Sequence, residues 1–167
     1  MKFTVAILVN NQFGVLNRIT SMFRRRQFNI TSLTVSETES EEFSRITVQS
    51  EGDEIKKQQL INQLYKLPDM VSVAELSTEE TVNRELMLIK MHNDPESRDH
   101  IRSAIDAFEG KIVDYTKESL VIQMVGDSRK IDNFITLMKE FGIMEIARTG
   151  IVSLQRGAST IRKVTNF

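Results

Sequence analysis

Apolar and polar residues alternate over several short segments of this chain, and two of these segments lead into stretches with helical spacing. Alternation predicts a strand with one buried face, whereas apolar residues three and four positions apart predict an amphipathic helix. In the first half these patterns follow the order strand, helix, strand, strand, helix, strand. The predicted strands are 3–9, 30–36, 43–50 and 70–76, and the predicted helices are 15–23 and 55–67.

The second half of the chain repeats this order of elements. Asp94 followed by Pro95 is a strong helix start, because Asp caps free N–H groups and Pro suits the first turn. The final strand is predicted as one continuous run. The predicted strands are 86–91, 111–116, 119–125 and 143–154, and the two helices run from Asp94 to Gly110 and from Asp127 to Gly142.

A βαββαβ unit of about 70 residues fits an antiparallel four-stranded sheet with both helices on one face, the ferredoxin-like motif. We therefore predict the α+β class, with two tandem ferredoxin-like domains. The first domain covers 1–76, a polar linker 77–84, the second domain 85–157 and a tail 158–167. The tail lacks a regular period, so it is either a frayed end or an arm that docks a partner.

Composition narrows the classes of function. Lys and Arg number 22 against 23 Asp and Glu, so no strong field recruits nucleic acid. The chain has no Cys, and its two His residues have no clustered carboxylates, so we expect no metal site. We find no catalytic constellation, no apolar run long enough for a membrane helix and no signal peptide, and we expect a cytoplasmic protein.

RNA-recognition domains share the βαββαβ order and are an alternative. They need exposed aromatic residues on the middle strands to stack bases. Here the third strand has one aromatic residue, Phe43, at its edge. The charge balance and this strand both disfavour RNA binding.

The junction between the first strand and the first helix is the candidate functional site. Asn10, Asn11 and Gly14 precede a helix N-terminus, whose free N–H groups and partial positive charge suit a carboxylate or phosphate. The alternative is an ordinary turn, in which Asn and Gly only satisfy backbone geometry. Asn29, at the start of the second strand, is either a second ligand-binding amide facing an adjacent subunit or a turn residue.

Residues 10–19 resemble the ligand loop of an ACT domain, the amino-acid-sensing ferredoxin-like module. A longer run resembles the small, regulatory subunit of acetohydroxyacid (acetolactate) synthase. The runs that carry this second resemblance are 25–35, 44–48, 84–90 and 148–157. This ordered set extends over nearly the whole chain to about residue 157, and it identifies the first domain as an ACT domain.

The resemblance implies a non-catalytic subunit that binds a large catalytic subunit, activates it and confers feedback inhibition by valine. Thiamine diphosphate, Mg²⁺ and FAD belong to the catalytic subunit, and this chain itself carries no cofactor. ACT domains of such families pair into homodimers, and a branched-chain amino acid binds at their junction. An ACT-type regulator of another pathway enzyme is the alternative. An enzyme with its own active site is disfavoured, because the sequence has no catalytic constellation. A transcriptional modulator is disfavoured too, because the sequence has no basic DNA-reading helix.

The resemblance also assigns roles within the site. N–H groups of the Gly14 turn take the effector carboxylate, amide oxygens take its ammonium group, and Ile30 packs the isopropyl group. Many relatives carry Pro and an acidic residue where this chain has Phe13 and Gln12, so its loop is less rigid and less acidic. The predicted contacts are Asn11, Gly14, Val15 and Leu16 of one subunit and Asn29 and Ile30 of its neighbour.

Overall fold

The computed structural model describes residues 1–162, which form two compact units. The first unit contains Met1–Val82 and the segment that begins at Ile151. Its sheet has the order β2-β3-β1-β4, and every neighbouring pair is antiparallel. Its elements are β1 (Lys2–Asn10), α1 (Val15–Arg25), β2 (Ile30–Glu37), β3 (Phe43–Glu51), α2 (Glu54–Leu64) and β4 (Met70–Leu76).

The core of the first unit lies between its sheet and its two helices. Alternation along β1 and β3 directs one set of apolar side chains toward α1 and α2. Asp53 caps α2, because its carboxylate accepts from the N–H of Lys56 at 2.8 Å. The residues buried at the centre of this core include Val5, Ile7, Ile19, Phe23, Ile46, Val48, Leu60 and Leu64.

The second unit, Asn83–Gly150, repeats the topology with the sheet order β6-β7-β5-β8. Its elements are β5 (Thr81–His92), α3 (Arg98–Ala107), β6 (Lys111–Tyr115), β7 (Ser119–Gly126), α4 (Ser128–Met138) and β8 (Ile143–Arg148). A 3₁₀ turn (Lys139–Phe141) follows α4, and a short last strand, β9 (Val152–Gln155), lies in the C-terminal segment of the first unit. The predicted α+β class with tandem ferredoxin-like units is therefore confirmed.

Some predicted element boundaries were wrong. The run 143–154 is two strands, because Gly150 adopts a left-handed φ of 81° between β8 and β9. The helix predicted from Asp94 begins at Arg98, since a turn closed by Ser97 N–H to Asp94 O (3.2 Å) precedes it. β5 already begins at Thr81, within the segment predicted as a linker.

The segment from Ile151 packs against the helix-free face of the first unit's sheet. There Ile161 joins a small apolar cluster with Ala6, Leu8, Ala74 and Leu76. Ser72 Oγ donates to the carbonyl of Ile161 at 2.6 Å, and Arg45 Nη2 donates to the carbonyl of Ser153 at 2.8 Å. Burial lowers the pKa of the Arg45 guanidinium.

By its contacts the segment 151–157 groups with the first unit, and the domain bounds 85–157 stay a prediction. Residues 158–162 of the predicted tail are held on the first unit as well. Its remaining residues, 163–167, lie outside the described residues.

Candidate functional site

The β1–α1 loop forms a tight turn with an exposed glycine at its end. Gly14 is the N-cap of α1, with φ 83° and ψ −3°, a left-handed conformation that glycine adopts without strain. A Cβ atom at this position would meet no heavy atom within 4 Å. The backbone of Gly14 is therefore open to a ligand.

Several backbone donors of this loop and of the first turn of α1 have no acceptor within residues 1–162. Within residues 1–162, the N–H groups of Gly14 and Leu16 make no hydrogen bond, whereas Val15 N–H donates to Gln12 O at a long 3.4 Å. The first turn of α1 contains no acidic residue. Free donors and an uncompensated helix dipole together favour an anion at this point.

The loop and the first turn of α1 border a shallow depression. The exposed side chain of Leu16 supplies an apolar wall, whereas the side chain of Val15 is buried in the core, so Val15 offers only its backbone. The lining residues are Asn11, Gln12, Phe13, Gly14, Leu16, Asn17 and Thr20. Four of the six predicted contacts, Asn11, Gly14, Val15 and Leu16, thus lie together in one chain.

Asn11 is held by the β2–β3 hairpin. Its Nδ2 donates to Glu37 Oε1 at 3.1 Å and to Glu41 O at 2.9 Å, and its Oδ1 accepts from Ser44 Oγ at 3.1 Å. Its N–H donates to Glu42 O at 2.7 Å. The sequence marked 37–42 only as an acidic turn, and nothing local in it signals these long-range bonds to Asn11.

Asn29 and Ile30 lie at the other end of α1, so one chain does not bring them to the loop. The 11 residues of α1 span roughly 16 Å. The side chain of Asn29 is exposed, and its carbonyl accepts from Ser50 Oγ at 2.6 Å. Within the described part of the chain β2 is the edge strand of its sheet and forms a strand pair with β3 alone.

The second unit has an equivalent loop in which the same amide is buried. Asn93 N–H donates to Glu118 O at 3.0 Å, matching the bond from Asn11 N–H to Glu42. Its Nδ2 donates to Thr116 O at 2.5 Å, and its Oδ1 accepts from the Arg98 guanidinium at 2.9 Å. Asn93 is 2% exposed.

Other groups that often mark a functional site have structural partners. Glu85 is 4% exposed and accepts two bonds from Arg148, at 2.9 and 2.7 Å. Burial opposes the charge of Arg148, but the bonds to Glu85 and Asp132 outweigh it and raise the Arg148 pKa. Across residues 1–162 no three His, Asp or Glu residues are grouped so as to hold a metal ion. No helix in this range has the length and apolar character needed to cross a membrane.

Family models match both halves of the chain. Residues 5–72 match the model described as "AHAS small subunit-like ACT domain", and residues 84–157 match "Small subunit of acetolactate synthase". These two ranges together cover most of the sequence.

Full-length relatives agree with the family models. The chain is 47% identical to the probable acetolactate synthase small subunit of Archaeoglobus fulgidus, covering 94% of this chain and 98% of that protein. It is 43% identical to the acetolactate synthase small subunit of Bacillus subtilis, covering 94% and 92%. The crystal structure of the small subunit from Thermotoga maritima superposes with a TM-score of 0.87 at 37% identity, covering 95% of this chain and 99% of that one. The chain therefore belongs to the acetolactate synthase small subunits, the ACT-containing regulatory partners of that enzyme's catalytic subunit.

Proposed function

We propose that this subunit binds valine at its β1–α1 loop, activates the catalytic subunit of acetolactate synthase and makes that enzyme sensitive to feedback inhibition. The open backbone at Gly14, with free N–H groups on Gly14 and Leu16, is the observation that carries the proposal. The lining of the depression beside it contains no charged side chain.

Each part of a branched-chain amino acid has a complementary group. The carboxylate accepts from the N–H groups of Gly14 and Leu16, at the positive end of α1. The ammonium group donates to Asn11 Oδ1, which accepts one bond from Ser44 and has a second lone pair available. Ile30 supplies an apolar surface for the isopropyl group, and Asn29 a second amide oxygen.

Asn29 and Ile30 reach the loop only from a second copy of the chain, so the proposal includes a homodimer through the first unit. The position of β2 at the edge of its sheet supports it, because an edge strand can extend its sheet into a partner. If two β2 strands pair antiparallel about their middle, the partner subunit's Ile30 lies opposite Glu37. Glu37 contacts Asn11, so the partner's strand then borders the same loop.

Inhibition follows when valine favours one arrangement of the paired ACT domains over another. A ligand shifts such an equilibrium only by its difference in affinity for the two states, typically about 1–3 kcal/mol. We place this sensing role in 1–76 and assign 85–157 to activation or docking of the catalytic subunit. Thiamine diphosphate, Mg²⁺ and FAD would act in that cytoplasmic partner and not in this chain.

Reconstitution of the holoenzyme tests this function. The tagged small subunit is co-purified with the catalytic subunit of the same organism, and acetolactate formation is measured with and without valine. We expect the small subunit to raise the activity and valine to lower it. Failure to co-purify, or activity unchanged by valine at millimolar concentration, would contradict the proposal.

A further inference from the structure

The Asn11 amide is fixed in one orientation by the β2–β3 hairpin. Glu37 and the Glu41 carbonyl accept from its two N–H hydrogens, and Ser44 donates to its oxygen. With both hydrogens engaged, the amide can offer an incoming group only the second lone pair of Oδ1. Asn11 is therefore arranged to accept from a ligand donor and not to donate.

Glu37 differs from the other acidic residues of this hairpin in how it reaches Asn11. Glu41 and Glu42 accept from Asn11 through their backbone oxygens, whereas Glu37 uses its carboxylate. Its neighbour Glu39 is paired with Arg162 at 2.8 Å. Within residues 1–162 no Lys, Arg or His forms an ion pair with Glu37, so its negative charge beside the loop is not neutralised.

A cation already binds the equivalent amide in the second unit. Arg98 Nε donates to Asn93 Oδ1 at 2.9 Å, and Arg98 Nη2 donates to Asn93 O at 3.2 Å. In the first unit Leu16 stands five residues after Asn11, as Arg98 does after Asn93, and within residues 1–162 no side chain supplies a positive charge to Asn11. A positively charged group from a ligand would fill the same role.

We propose that Glu37 is a positioning residue for effector recognition, which orients the Asn11 amide and supplies the negative charge that balances the ligand's ammonium group. This inference rests on the proposed valine site. Glu37 would also compensate for the neutral side chain of Gln12, because the negative charge near the ammonium group then comes from the hairpin and not from the loop. Opposite charges a few ångströms apart near a protein surface attract appreciably, although salt and solvent weaken the effect.

Calorimetric titration of the intact subunit with valine and with 3-methylbutanoate, which lacks the ammonium group, tests this role. Glu37→Gln removes the charge but keeps an oxygen that accepts from Asn11. We expect it to weaken valine binding about three- to tenfold and to leave 3-methylbutanoate binding, measured by displacement of valine, unchanged. Glu41→Gln is the matched control, since it removes a hairpin charge without touching the side-chain contact, and we expect it to change neither affinity by more than about twofold.

Two outcomes would overturn the inference while leaving the proposed site intact. Valine affinity in Glu37→Gln equal to that of the wild type would show that the charge is irrelevant. An equal loss for valine and 3-methylbutanoate would show a merely structural effect on the loop. If the wild-type subunit binds no valine, the proposed function itself fails, and the inference fails with it.

Discussion

The two β-to-α loops of this chain occupy the same place in two copies of one fold, yet only the first is open. Asn11 and Asn93 both follow the first strand of their unit, and each N–H donates to the facing hairpin. Asn93 is buried, and the Arg98 guanidinium occupies its oxygen. Asn11 is exposed, and no protein cation reaches it in the described residues.

Helix electrostatics separate the two loops further. Glu96 stands at the position equivalent to Gly14, and Asp99 lies in the first turn of α3. These carboxylates disfavour an anion at the N-terminus of α3, whereas α1 has no acidic residue in its first turn. Of these two βα junctions, only the first therefore combines an open glycine backbone with an uncompensated helix dipole.

The largest effect is expected at Gly14, where Gly14→Asp introduces the charge found in the second unit. Valine affinity should fall by roughly 100-fold or more, because a carboxylate would lie where the effector carboxylate binds. Gly14→Asn is the control of equal size, and Asn also tolerates a left-handed φ. We expect it to lose less than about tenfold in calorimetry. Similar losses in both variants would mean that shape matters here and charge does not.

The next comparison concerns stability. Asn93→Ala removes the buried amide that accepts from Arg98 Nε and donates to the Thr116 carbonyl, so the free energy of unfolding should fall by about 2–3 kcal/mol. Asn11→Ala removes two exposed bonds and a half-buried bond from Ser44, and should cost about 1 kcal/mol, while it weakens valine binding. Urea denaturation of both variants measures the change in the free energy of unfolding. Equal destabilisation would refute the contrast between a closed and an open loop.

Asn29 tests whether a second subunit completes the site. Asn29→Ala should weaken inhibition by valine about tenfold, since one hydrogen bond to a charged group is lost. The fold of the first unit should persist, because Asn29 accepts from Ser50 through its backbone oxygen. Asn62→Ala, at an exposed position of α2, is the control, and the concentration of valine giving half inhibition of the holoenzyme is the measurement. Unchanged inhibition would place the effector away from β2.

The smallest predicted effect is an increase in valine affinity, from a substitution that makes the first loop resemble the second. The second unit has Pro95 where the first has Phe13, whose side chain is fully exposed. Phe13→Pro would rigidify the loop before binding and should tighten valine affinity about two- to fivefold. Calorimetry of this variant gives the answer directly, and weaker binding would show that the loop must move to admit the ligand.

Local patterns in the sequence predicted the open loop but not its surroundings. A strand leading into Asn10, Asn11 and Gly14 and then into an amphipathic helix specifies a βα turn, so its position was foreseeable. The contacts of Glu37 and Ser44 with Asn11 depend on how the hairpin packs, and no sequence period encodes them. The hydrogen bond from Arg98 to Asn93 was not predicted either, since Asp94 and Pro95 indicated only a helix start.

The packing of the C-terminal segment could not be predicted for a different reason. Ile161 is an isolated apolar residue among polar ones, so no hydrophobic periodicity predicts its burial. It is 7% exposed and lies against the first sheet. Small side chains on that sheet face, Ala6 and Ala74, leave room for the segment to approach. Such docking is decided by tertiary packing, which alternation within one strand does not reveal.

A crystal structure of the dimer grown with valine tests the central claim most directly. We predict one valine at each β1–α1 loop, with its carboxylate within hydrogen-bond distance of Gly14 N–H and Leu16 N–H and its ammonium group against Asn11 Oδ1. The loop that holds Asn93 should remain closed by Arg98. Valine bound at the second unit, or an empty first loop under saturating ligand, would contradict this account.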